Sequence, residues 1–335
     1  MANRVLVTGG TGFLGQHMVS TLVECGLHVR VLVRPGKNKP SSRPVRFLEK
    51  LGVELLWGEI TDARAVNEAV RGVSQVFHLA GRLYMLGFTP AEYERLHVDG
   101  TRTLLEACTR VKSIRSIIHC SSTGVLGPTG VFPLAEDAPP NPSNIYEQTK
   151  AAGELIALSY AAQHALPVTV TRPALAYGPG DLHLLSWFRS IQNGLYRVVG
   201  SGENMLHPIY IEDVIDGMLR CANHPYAAGQ IYHLVGQQHV TLRDMASAIA
   251  RALQRRIHQP SLPVPVALGI ASFLEAVPAI PPTSLPLTRS RVRFMTENRI
   301  YSGRRAAEEI GFVSKVDLAT GLEKTVAWYR SEGLL

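Results

Sequence analysis

The chain has 335 residues, with 34 lysines and arginines against 27 aspartates and glutamates, for a formal net charge of +7. Hydrophobic residues make up 46% and charged residues 18%, which excludes disorder over most of the length. The four cysteines, Cys25, Cys108, Cys120 and Cys221, form no Cys-x-x-Cys pair; that excludes a disulfide scaffold and a zinc ribbon and points to a reducing compartment.

Strand-like apolar runs recur at Arg4–Thr8, His28–Val33, Val53–Trp57, Val76–Leu79, Ile114–Ser121 and Val168–Thr171. Helical periodicity fills the intervals at Phe13–Cys25, Arg64–Arg71, Ala91–Val111 and Ile145–His164. Such alternation predicts an α/β fold, a doubly wound parallel sheet covered on both faces. Beyond Pro179 the alternation becomes irregular, with proline-rich stretches at Pro260–Pro265 and Pro278–Pro286. No apolar run reaches the roughly 20 residues of a spanning helix. The start of the chain reads as no export signal, so a cytoplasmic protein is expected.

Gly9-Gly10-Thr11-Gly12-Phe13-Leu14-Gly15 follows the first strand and opens the first helix. Glycine at 9, 12 and 15 allows a tight turn, close backbone approach to a pyrophosphate and close helix packing. The helix N-terminus then offers unpaired N–H groups to the anion. At the end of the second strand a carboxylate would bind the adenosine ribose of NAD, whereas a cation would accept the extra phosphate of NADP. Here Val33 holds the acidic position and Arg34 follows it, with Lys37 and Lys39 close behind. NADP(H) is favoured on that ground over NAD(H); a solvated basic loop is the plain alternative.

The fifth strand-like run ends in Ser121-Ser122-Thr123, and Tyr146 and Lys150 later fall at i and i+4 on one helix face. A phenol titrates near pH 10, and a neighbouring ammonium favours its phenolate, so the pair suits acid/base work. A serine hydroxyl opposite can hydrogen-bond a carbonyl or alcohol oxygen. Tyr-x-x-x-Lys alone arises by chance in many helices; its position after a glycine turn and a hydroxyl-bearing strand end gives it weight.

Together these segments resemble an extended short-chain dehydrogenase/reductase, the superfamily of nucleotide-sugar epimerases and 3β-hydroxysteroid dehydrogenases. The matches are Thr8 to Gly15, His78-Leu79-Ala80-Gly81, Ser121-Ser122, Tyr146-x3-Lys150, Arg172-Pro173 with Tyr177-Gly178-Pro179, His207 to Val214, and Ser302 to Gly311. The resemblance implies a Rossmann domain over 1–180 and a smaller substrate-binding part over 181–335, with segments near 207–235 and 298–312 returning to the first. It implies that Gly9, Gly12, Phe13, Leu14 and Gly15 hold pyrophosphate and that Leu79, Ala80 and Gly81 line the cofactor. Glu59 and Ile60 would lie beside adenine, and Pro173 would back the nicotinamide. Ser122 is the implied catalytic hydroxyl, with Thr123 the close alternative; Tyr146 is the acid/base, and Lys150 also holds the ribose. A homodimer is expected from the same likeness.

Two departures stand out. His97, in His97-Val98-Asp99-Gly100-Thr101, replaces the family's asparagine near the cofactor; it is either a hydrogen-bond donor there or a satisfied helix histidine. Leu206 stands where sugar epimerases carry an arginine for the nucleotide diphosphate. That loss argues for a hydrophobic small-molecule substrate, similar to the 3β-hydroxysteroid dehydrogenase, dihydroflavonol reductase and 2-alkyl-3-oxoalkanoate reductase branch. The apolar segment 262–287 reads as a substrate lid, as a core helix with a proline linker, or as a point of peripheral membrane contact. A nucleotide-sugar epimerase or dehydratase is the alternative function, and a non-catalytic dinucleotide sensor is a third that retention of Tyr146 and Lys150 disfavours. Nucleic acid is not an expected partner, because the basic cluster lies where an adenosine phosphate would sit.

Overall fold

The computed structural model describes residues 4–36, 40–85, 87–257, 260–277, 285 and 287–335. Its strands are β1 Arg4–Thr8, β2 His28–Val33, β3 Glu54–Trp57, β4 Gln75–His78, β5 Ser116–Cys120, β6 Val168–Pro173, β7 Leu175–Tyr177, β8 Met205–Leu206, β9 Pro208–Tyr210, β10 Ile231–Leu234 and β11 Val240–Thr241. The helices are α1 Phe13–Glu24, α2 Arg43–Lys50, α3 Ala63–Ala69, α4 Pro90–Glu94, α5 Gly100–Cys108, α6 Ile145–His164, α7 Leu185–Gln192, α8 Ile211–Asn223, α9 Leu242–Ala252, α10 Val264–Ala276, α11 Arg289–Phe294, α12 Arg304–Ile310 and α13 Leu318–Ser331.

Seven strands form one sheet in the order β3-β2-β1-β4-β5-β6-β10, and every pairing in it is parallel. The doubly wound parallel sheet read from the sequence is therefore present. Consecutive β-strand residues point to opposite faces, so each buried strand serves two cores. Val5, Val7, Phe77 and Ile118 pack with Met18 and Leu22 of α1 and Val214 and Met218 of α8. Leu6, Val76 and Ile117 pack on the other face with Val66 of α3, Leu104 of α5 and Ala157 of α6. Residues 231–234 supply the edge strand beside β6, and the first core runs on from Val5 to Tyr329 in α13.

Arg172 in β6 is 2% exposed and donates from Nε to Glu154 Oε2 of α6 at 3.0 Å and from Nη1 to the Glu136 carbonyl at 3.0 Å. This buried charged pair fixes α6, the helix that carries Tyr146 and Lys150, against the sheet.

Two elements differ from the sequence pattern. The segment Ala91–Val111 is not one regular helix: α4 and α5 are joined by a π-helical turn over Arg95–Asp99. A π turn occurs as a single turn inside an otherwise α-helical run, so a helical segment in the sequence does not reveal it. Residues 43–50 form a further helix, α2, with Val45 and Leu48 buried and Pro44 in its first turn, where proline is tolerated. None of the described helices is long and apolar enough to cross a membrane.

Candidate active site

The strand order reverses between β1 and β4, and that switch point opens a crevice at the C-terminal strand ends. Gly9 has φ +74°, and a Cβ there would lie 2.6 Å from the Leu79 backbone. A Cβ on Gly15 would lie 2.1 Å from the Gly9 carbonyl oxygen, so only glycine allows α1 to start so close to β1. Gly12 caps α1 without a side chain, and its missing Cβ would touch only the Gly9 oxygen, at 3.3 Å. The outer side of the turn is thus bare backbone, and the first N–H groups of α1, including those of Phe13 and Leu14, have no intrahelical acceptor. A pyrophosphate fits this cradle.

Beneath the cradle a buried chain of hydrogen bonds joins β1, β4 and α5. The Ala80 N–H donates to Thr8 Oγ1 at 3.2 Å, and Thr8 Oγ1 donates to His78 Nδ1 at 2.8 Å. His78 Nε2 donates to Thr101 Oγ1 at 3.0 Å, and Thr101 Oγ1 donates to the His97 carbonyl at 2.6 Å. These partners fix a neutral tautomer of His78, whose pKa burial, and then the Lys150 charge, lower to about 3.

His97 sits on the π turn and is 2% exposed. Its Nε2 accepts the Arg82 N–H at 3.1 Å, so Nδ1 carries the proton and donates to Thr149 Oγ1 at 2.9 Å. Both ring nitrogens are therefore taken, which is the satisfied-histidine alternative. Burial, with Lys150 and His78 adding to it, lowers its pKa to about 2.

Lys150 is buried and donates from Nζ to the Cys120 carbonyl at 2.7 Å. Burial lowers its pKa. A Cβ on Gly81 would come within 3.1 Å of Nζ, so the glycine keeps room beside the ammonium. His119, next to Cys120 on β5, packs its ring 5.3 Å from that of His78, and neither of its nitrogens finds a hydrogen-bond partner.

Asn144 starts α6 by accepting the Glu147 N–H at 3.0 Å, which places Tyr146 in the first turn at the crevice. Tyr146 keeps some accessible surface, and its ring meets His97 edge-on at 5.8 Å. Dense protein around it raises the phenol pKa above the ordinary tyrosine value; a hydrogen bond with Ser122 opposes that rise, and Cys120, Glu147 and Tyr93 reinforce it. The downward pull expected from Lys150 is not among the influences on this phenol; its ammonium is turned to the Cys120 carbonyl instead. Ser122 Oγ accepts the Gly124 N–H at 3.0 Å and so faces Tyr146 from a short 3-10 turn. Thr123 turns away, donating to the Pro173 carbonyl at 3.4 Å and bonding the Tyr301 side chain. The two adjacent hydroxyls are thereby separated: only Ser122 meets Tyr146.

The remaining residues read from the sequence lie around the same edge. Leu79 and Ala80 are half-buried at the end of β4, and Pro173 is buried at the end of β6. Arg34 is half-buried directly after β2, while Lys37 and Lys39 lie outside the described residues. Ile60 packs beneath Gly100. Glu59 turns its carboxylate to Arg95, with Oε2 2.8 Å from Nη2.

Sequence reasoning did not single out the group that covers the Ser122 turn. Arg299 is brought in by a bridge pairing it with Leu206, and its Nη1 donates to Glu147 Oε1 at 2.8 Å. Nη2 donates to Glu297 Oε2 at 3.2 Å. Glu147 Oε2 in turn accepts the Ser143 N–H and hydroxyl, both at 2.7 Å. Glu147 also packs on Gly124, beside Ser122. A glutamate following the tyrosine is the one local signal of this arrangement.

With this glycine cradle and tyrosine–lysine helix, residues 5–235 match the model of the NAD dependent epimerase/dehydratase family, and the chain belongs to that family. It is 27% identical over 326 residues to a 4-hydroxy-2-methyl-3-oxo-4-farnesyl-3,4-dihydroquinoline-1-oxide ketoreductase of Stigmatella aurantiaca, covering 96% of this chain and 95% of the relative. It is 26% identical to 3beta-hydroxysteroid-dehydrogenase/decarboxylase isoform 1 of Arabidopsis thaliana, covering 96% and 78% of the two chains. Its fold matches the crystal structure of a dTDP-glucose 4,6-dehydratase from Streptomyces venezuelae, solved with NAD bound, with TM-score 0.79, 24% identity and coverage of 99% and 100%.

Proposed function

We propose that this protein is an NADP(H)-dependent reductase or dehydrogenase that interconverts a hydrophobic secondary alcohol, of the 3β-hydroxysteroid or 3-oxoalkanoate kind, and its ketone. The carrying observation is that Ser122 hydrogen-bonds Tyr146, while the same helix buries the Lys150 ammonium beside Gly81 and the end of β5, next to an open glycine cradle. Gly9, Gly12, Gly15 and the amides of Phe13 and Leu14 would hold the pyrophosphate, and Leu79, Ala80 and Gly81 would line the dinucleotide. Glu59 and Ile60 would flank adenine, Lys150 would hold the ribose, and Pro173 would back the nicotinamide. When bound, the cofactor supplies or accepts the hydride at the substrate carbon.

The protein's own task is the proton. In reduction Ser122 Oγ donates a hydrogen bond to the carbonyl oxygen, and Tyr146 Oη gives the same oxygen its proton as charge develops there. The raised Tyr146 pKa keeps the phenol protonated, the form that reduction consumes. The Lys150 ammonium then steadies the phenolate left behind.

The substrate class is supported by Leu206, which is 1% exposed in the core where a phosphate-binding arginine is absent. Arg299 approaches that position, but Glu147 and Glu297 neutralise it. The names of the ketoreductase and hydroxysteroid relatives support the same class. Arg34 beyond Val33 supports NADP(H). Four free thiols, three of them buried, support a reducing, cytoplasmic setting. Tyr146→Phe tests the reading: turnover should fall by about 10²–10⁴-fold while the cofactor Kd stays within a few-fold. A fully active Tyr146→Phe enzyme would overturn it.

A further inference from the structure

Helix α10 breaks the usual rule for a water-facing helix. Its buried side is small, with Ala267 and Ala271 packed on Val199 and Val292. Its opposite side is open: Val266 is 49% exposed, Ile270 42% and Phe273 70%. These three fall at i, i+4 and i+7 and so form a single stripe; Gly269 beside them faces open space. The helix carries one charged residue, Glu275, and its carboxylate is held by the Arg289 N–H at 2.8 Å and Arg289 Nε at 2.6 Å. A solvated helix carries charged residues on its outer face; this one presents valine, isoleucine and phenylalanine.

Electrostatics says what would cover the stripe. Helix α11 packs against α10 and carries Arg289, Arg291 and Arg293; Arg289 pairs with Glu275 and Arg291 donates from Nη1 to the Leu285 carbonyl at 2.8 Å, while Arg293 stands exposed. A second copy would bring the same arginines and the same +7 charge toward each other. An anionic lipid surface meets both features at once, apolar side chains entering the acyl boundary and guanidiniums meeting phosphate headgroups. At 13 residues the helix is about 20 Å long, short of the roughly 30 Å hydrocarbon layer, so it would lie flat.

We propose that α10 and α11 dock this protein peripherally on an anionic lipid surface. The test is flotation of the full chain with phosphatidylglycerol/phosphatidylcholine vesicles and with phosphatidylcholine vesicles, without substrate or cofactor. The protein should float with the anionic vesicles, far less with the neutral ones, and less as salt is raised. Phe273→Asp should cut the bound fraction about tenfold, and Arg293→Glu about fivefold. Circular dichroism and melting of both variants should match the parent; if Phe273→Asp does not fold, Arg293→Glu carries the test alone. Equal binding to the two vesicle types, no binding, or undiminished binding by a folded variant overturns the proposal. So does a concentration-dependent dimer dissolved by Phe273→Asp, which would assign the stripe to a second copy. Vesicle binding is read without turnover, so this result stands apart from the hydride-transfer reading.

Discussion

Around Lys150, at the ends of β1, β4 and β5, the protein buries polar groups: His78, His97 and His119 are each at most 3% exposed. On α10 it does the reverse, with Phe273 70% exposed. Exposed leucines and buried valines are ordinary, whereas buried polar groups and aligned exposed apolar ones call for a reason. The first region has its reason in chemistry, since a dry, preorganised setting strengthens the groups that handle a proton. For the second, the reason we propose is the apolar layer of a lipid surface outside the molecule. The contrast locates function at the two places where burial and polarity are inverted.

The largest effect should come from breaking the buried pair over Ser122. Arg299→Met leaves Glu147 buried without its cation and should cost about 3–5 kcal/mol of stability in urea unfolding. The double variant with Glu147→Leu should recover most of that loss. Equal stability of the single variant and the parent would mean that the pair is solvated and holds nothing in place.

The histidines give the next effect. Each is neutral when folded and protonates on unfolding, so below about pH 6.5 the unfolded chain binds more protons and stability falls with pH. The slope should be about 1.4 kcal/mol per pH unit for each, down toward the folded values of about 3 for His78 and about 2 for His97. Asp181, raised to about 6 by burial, works in the opposite direction between there and its ordinary 3.8. His119→Leu removes a ring without hydrogen-bond partners; it should flatten the slope by one proton and leave the protein at least as stable. A lower stability would show that His119 has a partner worth keeping.

The smallest effect concerns the half-buried rim between the two extremes. Arg34→Asp should shift the kcat/KM ratio of NADP(H) over NAD(H) by about tenfold toward NAD(H). An unchanged ratio would remove Arg34 from the phosphate site.

The crevice was legible in sequence where one strand, one turn and one helix carry the signal. Gly9 to Gly15, and Tyr146 with Lys150, are local patterns whose spacing determines geometry. The choice between Ser122 and Thr123 was not legible, because a 3-10 turn sends neighbouring hydroxyls to different partners. The π turn at His97 was hidden as well, since a single wide turn within a helical run carries no residue pattern of its own. Arg299 lies 152 positions from Glu147, and isolated bridges from distant segments bring it over the site. No local spacing encodes such an approach. Residue type and spacing put Lys150 on the same helix face as Tyr146 but could not show that its ammonium turns to the Cys120 carbonyl or that burial raises the phenol pKa. The apolarity of α10 was plain in sequence; which half of it faces inward is set by Ala267 and Ala271, which pack on Val199 and Val292.

In the proposed reaction, nicotinamide held beside Ser122, Tyr146 and Lys150 passes hydride to a hydrophobic carbonyl. Its most direct test follows nicotinamide absorbance with NADPH and NADH against a steroid ketone, a β-keto acid and a nucleotide sugar. NADPH should be oxidised with one or both of the hydrophobic carbonyl compounds and not with the sugar. Turnover of the nucleotide sugar alone would contradict it.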